Sequence, residues 1–194
     1  MQTILKWDQG LLKLINSEWN NAFFDLVLPF FRIAEFWIPF YFFLLLVALI
    51  NFRTSGLKWA LFLIGTAVFC NFVSSDLIKP NIIRLRPCND PELFSWLRVL
   101  VAYRPQSSSF TSSHAANHFG AAMFLYITLQ RFTGKKAIAF FIWAAIICYS
   151  QLYVGVHYPI DVICGGVVGS VIGYMMAKIF NNKIGLKLHL PGKG

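Results

Sequence analysis

The sequence predicts an all-α protein, a polytopic bundle of transmembrane helices, and three observations support this fold class. Hydrophobic residues make up 57% of the 194-residue chain, whereas charged residues make up only 13%. A soluble domain carries about 25% charged residues, so this chain lacks the charge that a water-exposed surface needs. Several apolar runs approach the roughly 20 residues that cross the hydrocarbon core of a bilayer. We therefore exclude a soluble enzyme, a disordered chain and a disulfide-stapled secreted domain, and we expect a single membrane domain over residues 1–194.

Two helices are predicted in residues 1–34, ahead of the long apolar runs. Ile4 to Ile15 is typical of an amphipathic helix in the membrane interface. Its apolar face would hold Leu5, Leu11, Leu12 and Ile15, opposite Lys6, Asp8 and Lys13. Phe23 to Ile33 is apolar but short, and it contains Asp25, Pro29 and Arg32. This second segment is predicted as either a sixth, short span or a half-buried helix.

Five transmembrane spans are predicted within residues 36–180. They are Phe36 to Ile50, Leu57 to Val73, His114 to Gln130, Ala137 to Tyr153 and Ile160 to Phe180. Residues 80–113, between the second and third spans, form a polar loop with four arginines, several prolines and a serine cluster. We expect one short helix in this loop, from Leu93 to Val101. Loops of this length without strong structure of their own are usually functional.

The positive residues predict the orientation in the bilayer, because cytoplasmic loops carry an excess of Lys and Arg. Alternating the five spans places three basic groups on one side, which we predict to be cytoplasmic: Arg53 and Lys58; Arg131, Lys135 and Lys136; Lys178, Lys183, Lys187 and Lys193. The opposite, outer side then holds Lys79, Arg84, Arg86, Arg98 and Arg104. Positive charges on the outer side, near helix ends, indicate a site for an anionic ligand.

Three segments with complementary chemistry converge on that outer side. Residues 79–87 supply cations, and residues 109–115 place Ser and Thr caps at a helix N-terminus, which is an anion-binding feature. Residues 150–161 supply His157, with Asp161 four residues later. If Pro159 opens the last helix, Asp161 lies in its first turn and can reach back to the imidazole. The pattern predicts an anion site with a histidine at its centre.

These segments resemble the tripartite signature of the type 2 phosphatidic acid phosphatase superfamily, the lipid phosphate phosphatases. That signature reads Lys-x6-Arg-Pro, then Pro-Ser-Gly-His, then Ser-Arg-x5-His-x3-Asp. Lys79 and Arg86-Pro87 match the first block, and Ser112 and His114 match the second. The third block is matched by Ser150, His157 and Asp161. The resemblance covers about residues 57–180 and is typical of the small bacterial members of the family.

The resemblance implies a phosphatase that works through a phosphohistidine intermediate, with no cofactor and no metal. His157 would attack phosphorus, Asp161 would fix the imidazole tautomer, and His114 would be the general acid and later the base. Lys79 and Arg86 would bind the phosphate oxygens, together with Ser112 and with the backbone at Ser113 and His114. These roles agree with the charge distribution of phosphoryl transfer. Residues 36–180 would then form the transmembrane catalytic core.

The sequence departs from the signature at one charged position, where Gln151 replaces the arginine of the third block. Gln151 can still donate one hydrogen bond to a phosphate oxygen, but it supplies no charge. Arg84 or Arg104 is expected to compensate, since both lie near the signature segments. Ser113 replaces the glycine of the second block and is expected to narrow the pocket or to add a hydroxyl donor.

Several alternatives accompany this interpretation. His114 and His118 are four residues apart, a spacing that also suits metal or haem, although no carboxylate or thiolate cluster completes such a site. We expect a lipid phosphate as substrate: undecaprenyl diphosphate first, then phosphatidylglycerol phosphate, phosphatidic acid or a lipid A phosphate. The alternatives are a lipid-to-lipid phosphotransferase and a non-catalytic membrane binding or transport protein. We expect a multi-pass plasma (inner) membrane protein with its site on the outer, periplasmic side, contacting membrane lipids but no nucleic acid. The sequence does not predict the oligomeric state.

Overall fold

The computed structural model describes residues 2–188, and its regular structure is entirely helical over that range. Lys193, one of the predicted cytoplasmic lysines, lies outside the described residues. The six α-helices are α1 Gln2–Lys13, α2 Ala22–Phe31, α3 Ile38–Asn71, α4 Ser113–Thr133, α5 Ala139–Tyr153 and α6 Pro159–Lys183. Short π- and 3-10 segments extend or link them, at Leu14–Glu18, Ala34–Trp37, Phe72–Ile78, Lys79–Asn81, Pro87–Asn89, Pro91–Leu93 and Gly134–Ile138. The predicted all-α class is confirmed.

Three helical stretches are long and apolar enough to cross a membrane: Ala34–Asn81, Ser113–Tyr153 and Pro159–Lys183. The first contains a non-helical backbone at Arg53, with φ 46°, and the second contains Gly134 with φ 59°. A Cβ added at Gly56 would collide with the carbonyl oxygen of Ala48. Eight residues of straight helix would separate these two positions by about 12 Å. The chain therefore reverses direction between them, and α3 is a hairpin of two helices.

The bundle is organised around α4, which packs against α3, α5 and most extensively against α6. Small residues allow the close approach of α4 and α6, because a Cβ at Gly169 would collide with the Ala116 carbonyl oxygen. A Cβ at Gly173 would likewise meet the backbone of Gly120. Large apolar side chains on the outer faces of α3, α5 and α6 are exposed, among them Phe42, Phe43, Ile64, Val68, Ile142, Val167 and Val171. An exposed apolar belt of this kind is suited to lipid.

The orientation of α1 differs from the sequence prediction at two residues, Asp8 and Leu5. Asp8 was expected on the charged face of α1, but it is fully buried together with Leu12 and Ile15. Leu5, expected on the apolar face, is exposed instead. These positions at i, i+4 and i+7 share one helix face, so α1 packs a carboxylate into the molecule.

The predicted short helix from Leu93 to Val101 is wrong. The structure has a 3-10 turn at Pro91–Leu93 and irregular backbone from Leu97 onward. The backbone N–H of Leu100 donates to the carbonyl of Val154, and that of Arg98 donates to the side chain of Asn16. These partners lie on distant segments, and they replace the helical hydrogen bonds.

Candidate active site

A cation-lined cavity of about 250 Å³ lies where the 79–86 segment meets the serine cluster of the long loop. Lys79, Arg84 and Arg86 line it, together with Ser107 and Ser108. Lys79 has no carboxylate partner among the residues that the structure describes. A polar cavity with several positive side chains is suited to an anion.

Arg86 is held in one orientation by backbone and side-chain acceptors. Its Nε donates to the carbonyl of Ser107 at 2.9 Å, and its Nη2 donates to the Ser107 hydroxyl at 3.0 Å. Its Nη1 lies 3.2 Å from the carbonyl oxygen of Val156 and 3.1 Å from Nε2 of His157. The guanidinium of Arg86, which lines the cavity, is thus in contact with the imidazole of His157.

His157 is buried in the connection between α5 and α6. Burial lowers the pKa of His157 to about 4; the hydrogen bond to Asp161 opposes this shift and the positive charge of Arg86 adds to it. The imidazole is therefore neutral at neutral pH. Since Arg86 donates to Nε2, that nitrogen carries a lone pair and faces the cations. A neutral nitrogen beside positive charge is the arrangement that a nucleophile toward phosphorus needs.

Asp161 lies in the first turn of α6, and the prediction that Pro159 opens this helix is confirmed. Its Oδ2 is 3.6 Å from Nδ1 of His157, and the hydroxyl of Ser109 lies close to both groups. Ser109 is 2.5 Å from Asp161 Oδ2 and 3.4 Å from the imidazole Nδ1. The backbone N–H of Tyr158 donates to the same carboxylate oxygen at 3.0 Å. Ser109 belongs to the segment expected to supply helix caps, but Ser112 caps α4 and Ser109 contacts Asp161 and His157 instead.

Arg84 connects the site carboxylate to the N-terminal helix. Its Nη1 donates to Asp161 Oδ1 at 2.6 Å, and its Nη2 donates to Asp8 Oδ2 at 2.5 Å. Its guanidinium also lies 4.0 Å from the ring centroid of Tyr158. Arg84 was expected to replace a missing phosphate contact. It borders the cavity, but two carboxylates already neutralise its charge.

The second segment forms the N-terminus of α4. The hydroxyl of Ser112 caps the helix by accepting from the N–H of Ala115, while the hydroxyl of Ser113 bonds to those of Ser74 and Ser75, each at 2.9 Å. The N–H groups of Ser113 and His114 are in the first turn and have no helical acceptor. Both serine hydroxyls therefore have protein partners. The backbone N–H groups of Ser113 and His114 are the donors that this segment can offer an anion.

Two further residues were predicted near the phosphate, Gln151 and Arg104. Gln151 is fully buried, and neither its side-chain nitrogen nor its oxygen has a hydrogen-bond partner among the described residues. Arg104 is exposed and lies 5.5 Å from the ring centroid of Phe94. The structure does not bring Arg104 to the cavity wall.

His114 and His118 have parallel rings with centroids 6.4 Å apart. The Nδ1 of His118 lies 2.8 Å from the carbonyl oxygen of His114, and its Nε2 lies 3.4 Å from the hydroxyl of Tyr41. Across residues 2–188, no group of three or more His, Cys, Asp or Glu side chains is placed to hold a metal ion. His118 is thus engaged in helix packing.

Sequence reasoning missed Asp8, which touches the site network although it is 153 residues from Asp161 in the chain. An acid on an amphipathic helix normally faces water, so the pattern of α1 indicated the opposite orientation. Arg32 interrupts an apolar segment of the sequence, yet its Nε is buried. The only signal for either residue was a charge inside an apolar stretch.

Comparison with known proteins shows which family this chain resembles. Residues 56–184 match the PAP2 superfamily. A relative from Bacteroides thetaiotaomicron named Lipid A 4'-phosphatase is 32% identical over 96% of this chain and 84% of its own. A protein of the same name from Porphyromonas gingivalis is 29% identical over 93% of this chain and 75% of its own. An Undecaprenyl-diphosphatase from Sulfolobus acidocaldarius is 32% identical over 60% of this chain and 55% of its own.

One solved structure is similar over nearly the whole chain. It is the transmembrane PAP2 type phosphatidylglycerolphosphate phosphatase from Bacillus subtilis, with a TM-score of 0.70 and 22% identity, covering 95% of this chain and 89% of that one. At this level of identity the likeness concerns the fold. It agrees with the helical bundle described above.

Proposed function

The chain belongs to the PAP2 superfamily, and from this membership we propose that it is a membrane lipid phosphate phosphatase with His157 as nucleophile. The observation that carries the proposal is the contact of 3.1 Å between His157 Nε2 and the Nη1 of Arg86, a residue that lines the cationic cavity. A phosphoryl group bound by Arg86 and Lys79 would lie next to the lone pair of Nε2. The curated relatives over this chain are phosphatases by name.

In the first chemical step, Nε2 of His157 forms a bond to phosphorus while the bond from phosphorus to the leaving oxygen breaks. Arg86 and Lys79 stabilise the charge on the equatorial oxygens of the loose transition state. The imidazole becomes positive as the N–P bond forms. Asp161, at 3.6 Å from Nδ1, stabilises that charge and holds the ring orientation.

His114 completes the reaction as general acid and base. It gives a proton to the leaving oxygen in the first step and takes a proton from water in the second. The water oxygen then attacks phosphorus, the N–P bond breaks, and inorganic phosphate leaves. Neither step requires a metal ion, because cationic side chains supply the positive charge.

We propose a lipid A type phosphate as the substrate class, because the two relatives that align with nearly the whole chain carry that activity in their names. Undecaprenyl diphosphate, the first expectation from the sequence, becomes the second candidate, since the relative of that name aligns with 60% of the chain. A largely apolar cavity of about 540 Å³ between α3 and α4, bordered by Tyr41, Trp59 and His118, would take the lipid chain.

We further propose five transmembrane spans in the plasma (inner) membrane, with the cavity on the outer side. The reversals at Arg53 and Gly134 divide the three apolar stretches into five segments. The basic residues Arg53, Arg131, Lys135 and Lys136 lie at these reversals, at the opposite end of the bundle from the cavity. This distribution agrees with the positive-inside rule.

Phosphate release from purified protein in detergent tests the function. We expect turnover of a lipid phosphate in excess EDTA, at least ~10³-fold reduced in His157→Ala because the nucleophile is lost. Lys58→Ala, in the second half of α3 and away from the cavity, is the matched control and should match the wild type. Loss of wild-type activity with EDTA would contradict the metal-free mechanism.

A panel of lipid phosphates separates the remaining functions. Preferred hydrolysis of lipid A 4'-phosphate over undecaprenyl diphosphate would support the substrate class, and the reverse order would contradict it. Transfer of phosphate to a second lipid without its release would indicate a phosphotransferase. No turnover of any member would indicate a binding or transport protein.

A further inference from the structure

The site lacks one positive charge that the signature of the superfamily would supply. Gln151 occupies the arginine position of the third block, and its side chain is neutral and fully buried. Neither its nitrogen nor its oxygen finds a hydrogen-bond partner in residues 2–188. A buried amide without partners is costly, which indicates that a ligand or another group completes this part of the site.

Three of the nearby arginines are poor candidates for the missing charge. Arg84 is shared between Asp8 and Asp161. Arg98 is paired with Asp25, and it also donates to the carbonyl of Asn16. Arg104 is exposed to solvent and lies over the ring of Phe94. A guanidinium that is paired with a carboxylate or screened by solvent offers a phosphate little additional attraction.

Arg32 differs from these three residues. It directly follows α2, and its Nε is buried with no acceptor within hydrogen-bond distance in the part of the chain that the structure describes. No carboxylate in residues 2–188 forms an ion pair with Arg32. A half-buried guanidinium whose Nε–H has no acceptor leaves a polar group unsatisfied in the free protein, and this favours the binding of an anion.

The packing of α2 brings Arg32 toward the helix that carries Gln151. Leu28 of α2 belongs to the same buried cluster as Cys148 and Leu152 of α5. Arg32 lies one turn after Leu28, and its positive charge acts on Arg86. Burial lowers the pKa of Arg86, and the charge of Arg32 lowers it further. Arg32 also opposes the rise that burial causes in the pKa of Cys88, two residues beyond Arg86.

We propose that the guanidinium of Arg32 binds the substrate phosphate and replaces the arginine that Gln151 lacks. The proposal rests on the phosphatase function proposed above. It assigns to the N-terminal segment a direct contact with the substrate, although that segment precedes the region matched by the superfamily. Arg32 would donate to the same phosphoryl oxygens as Arg86 and Lys79.

Substitution of Arg32 tests the proposal. We expect Arg32→Gln to lower kcat/KM by ~10- to 100-fold, the range for one charge-assisted hydrogen bond. Arg32→Lys, which keeps the charge, should lose less. Arg53→Gln is the matched control, because Arg53 is exposed at the opposite end of the bundle and should behave as the wild type. Equal activity of Arg32→Gln and Arg53→Gln would overturn the proposal, as would equal losses in Arg32→Gln and Arg32→Lys.

A charge swap gives a readout that a purely structural role of Arg32 would not move. The double variant Arg32→Gln with Gln151→Arg restores the signature arginine, and we expect it to recover most of the activity lost in Arg32→Gln. A double variant no better than the single variant would count against the proposal.

Binding of inorganic phosphate separates this inference from the proposed function. We expect orthophosphate to raise the thermal unfolding midpoint of the wild-type protein in detergent, and to do so at ~10-fold higher concentration in Arg32→Gln. If the wild type hydrolyses no lipid phosphate, the proposed function fails, whereas this binding difference still supports Arg32 as an anion ligand. Equal phosphate binding in the two proteins would overturn the inference even if the wild type is an active phosphatase.

Discussion

Asp8 illustrates, at the scale of single residues, how one buried charge positions another. Its carboxylate accepts from Arg84 Nη2 at 2.5 Å and from the N–H of Ile160 at 2.8 Å. Arg84 in turn donates to Asp161. Asp8 and Asp161 are both fully buried, so each depends on this shared guanidinium for neutralisation. Asp8 is therefore a positioning residue that acts on Asp161 through Arg84.

The substitution Asp8→Asn tests this role. The amide side chain would keep one acceptor for the N–H of Ile160 but would lose the charge that faces Arg84. We expect the free energy of unfolding to fall by about 1.5–3 kcal/mol, the contribution of a hydrogen bond to a charged group. Thermal unfolding in detergent measures this change, and kcat should fall as Asp161 loses its fixed position. Lys6→Gln, which removes an exposed charge from the same helix, is the control, and an identical midpoint in both variants would refute the role.

The signature residues could be predicted from the sequence, but their supporting partners could not. His157 and Asp161 are recognisable because both lie on one short connection with a fixed spacing. Asp8 and Arg32 contact groups far away in the chain, so no local pattern reports their orientation. An acid on an amphipathic helix is expected to face water, and only the position of Arg84, 76 residues later, makes burial favourable.

At the scale of elements, the contact between α4 and α6 holds the two halves of the site together. Ser112 at the start of α4 donates its N–H to the carbonyl of Asp161 at 3.0 Å. Further along, Gly169 allows the backbones to approach until a side chain would collide with Ala116. This spacing keeps the N-terminus of α4 beside the His157 connection.

Gly169→Ala is expected to force the two helices apart. Overpacking of a close contact costs about 1–3 kcal/mol, which exceeds the gain of roughly 1 kcal/mol in helix propensity from Gly to Ala. Gly10→Ala provides a matched control, because a Cβ at Gly10 of α1 meets nothing within 4 Å. Thermal unfolding should show a lower midpoint for Gly169→Ala and an unchanged or higher one for Gly10→Ala. The same midpoint for both variants would mean that the helices separate freely.

The apolar runs of the sequence predicted the long helices, but the structure of the loop between α3 and α4 was not predicted. Runs such as Ala137 to Tyr153 are apolar on all faces and long enough to approach a membrane span, so their helices were predicted closely. The stretch from Leu97 to Leu100 has a helix-like composition, but its N–H groups bond to Asn16 and Val154. Hydrogen-bond acceptors on distant segments override the local helix propensity there, and no local sequence pattern identifies such acceptors.

At the scale of the whole molecule, the net charge of +9 is divided between the two ends of the bundle. One end carries basic residues at the reversals near Arg53 and Gly134. The other end carries the cations around His157, several of which pair with carboxylates or line the cavity. In the function proposed above, the first set would orient the protein and the second would bind the substrate, so the total charge alone does not indicate function.

Labelling of single cysteines in spheroplasts tests the orientation. We expect a membrane-impermeant maleimide to label Tyr103→Cys, whose native side chain is 71% exposed at the cavity end. Lys135→Cys, exposed at the opposite end, should react only after permeabilisation. Three native cysteines are buried and a fourth is partly buried, and the unsubstituted protein measures their background. The reverse labelling pattern would place the cavity on the cytoplasmic side.

The hydrogen bond between Asp8 and the start of α6 also determines at which stage of biosynthesis the site can assemble. The hydrogen bond from the N–H of Ile160 to Asp8 spans 152 residues, and its closure must overcome the entropy of a very long loop. A ribosome-bound chain that has not yet released α6 lacks the Ile160 N–H that donates to Asp8, the Asp161 that shares Arg84 with it, and the start of α6 that follows His157. Assembly of the site is thus a late step of biosynthesis, after most of the bundle has been inserted, and a shortened translation product would remain inert.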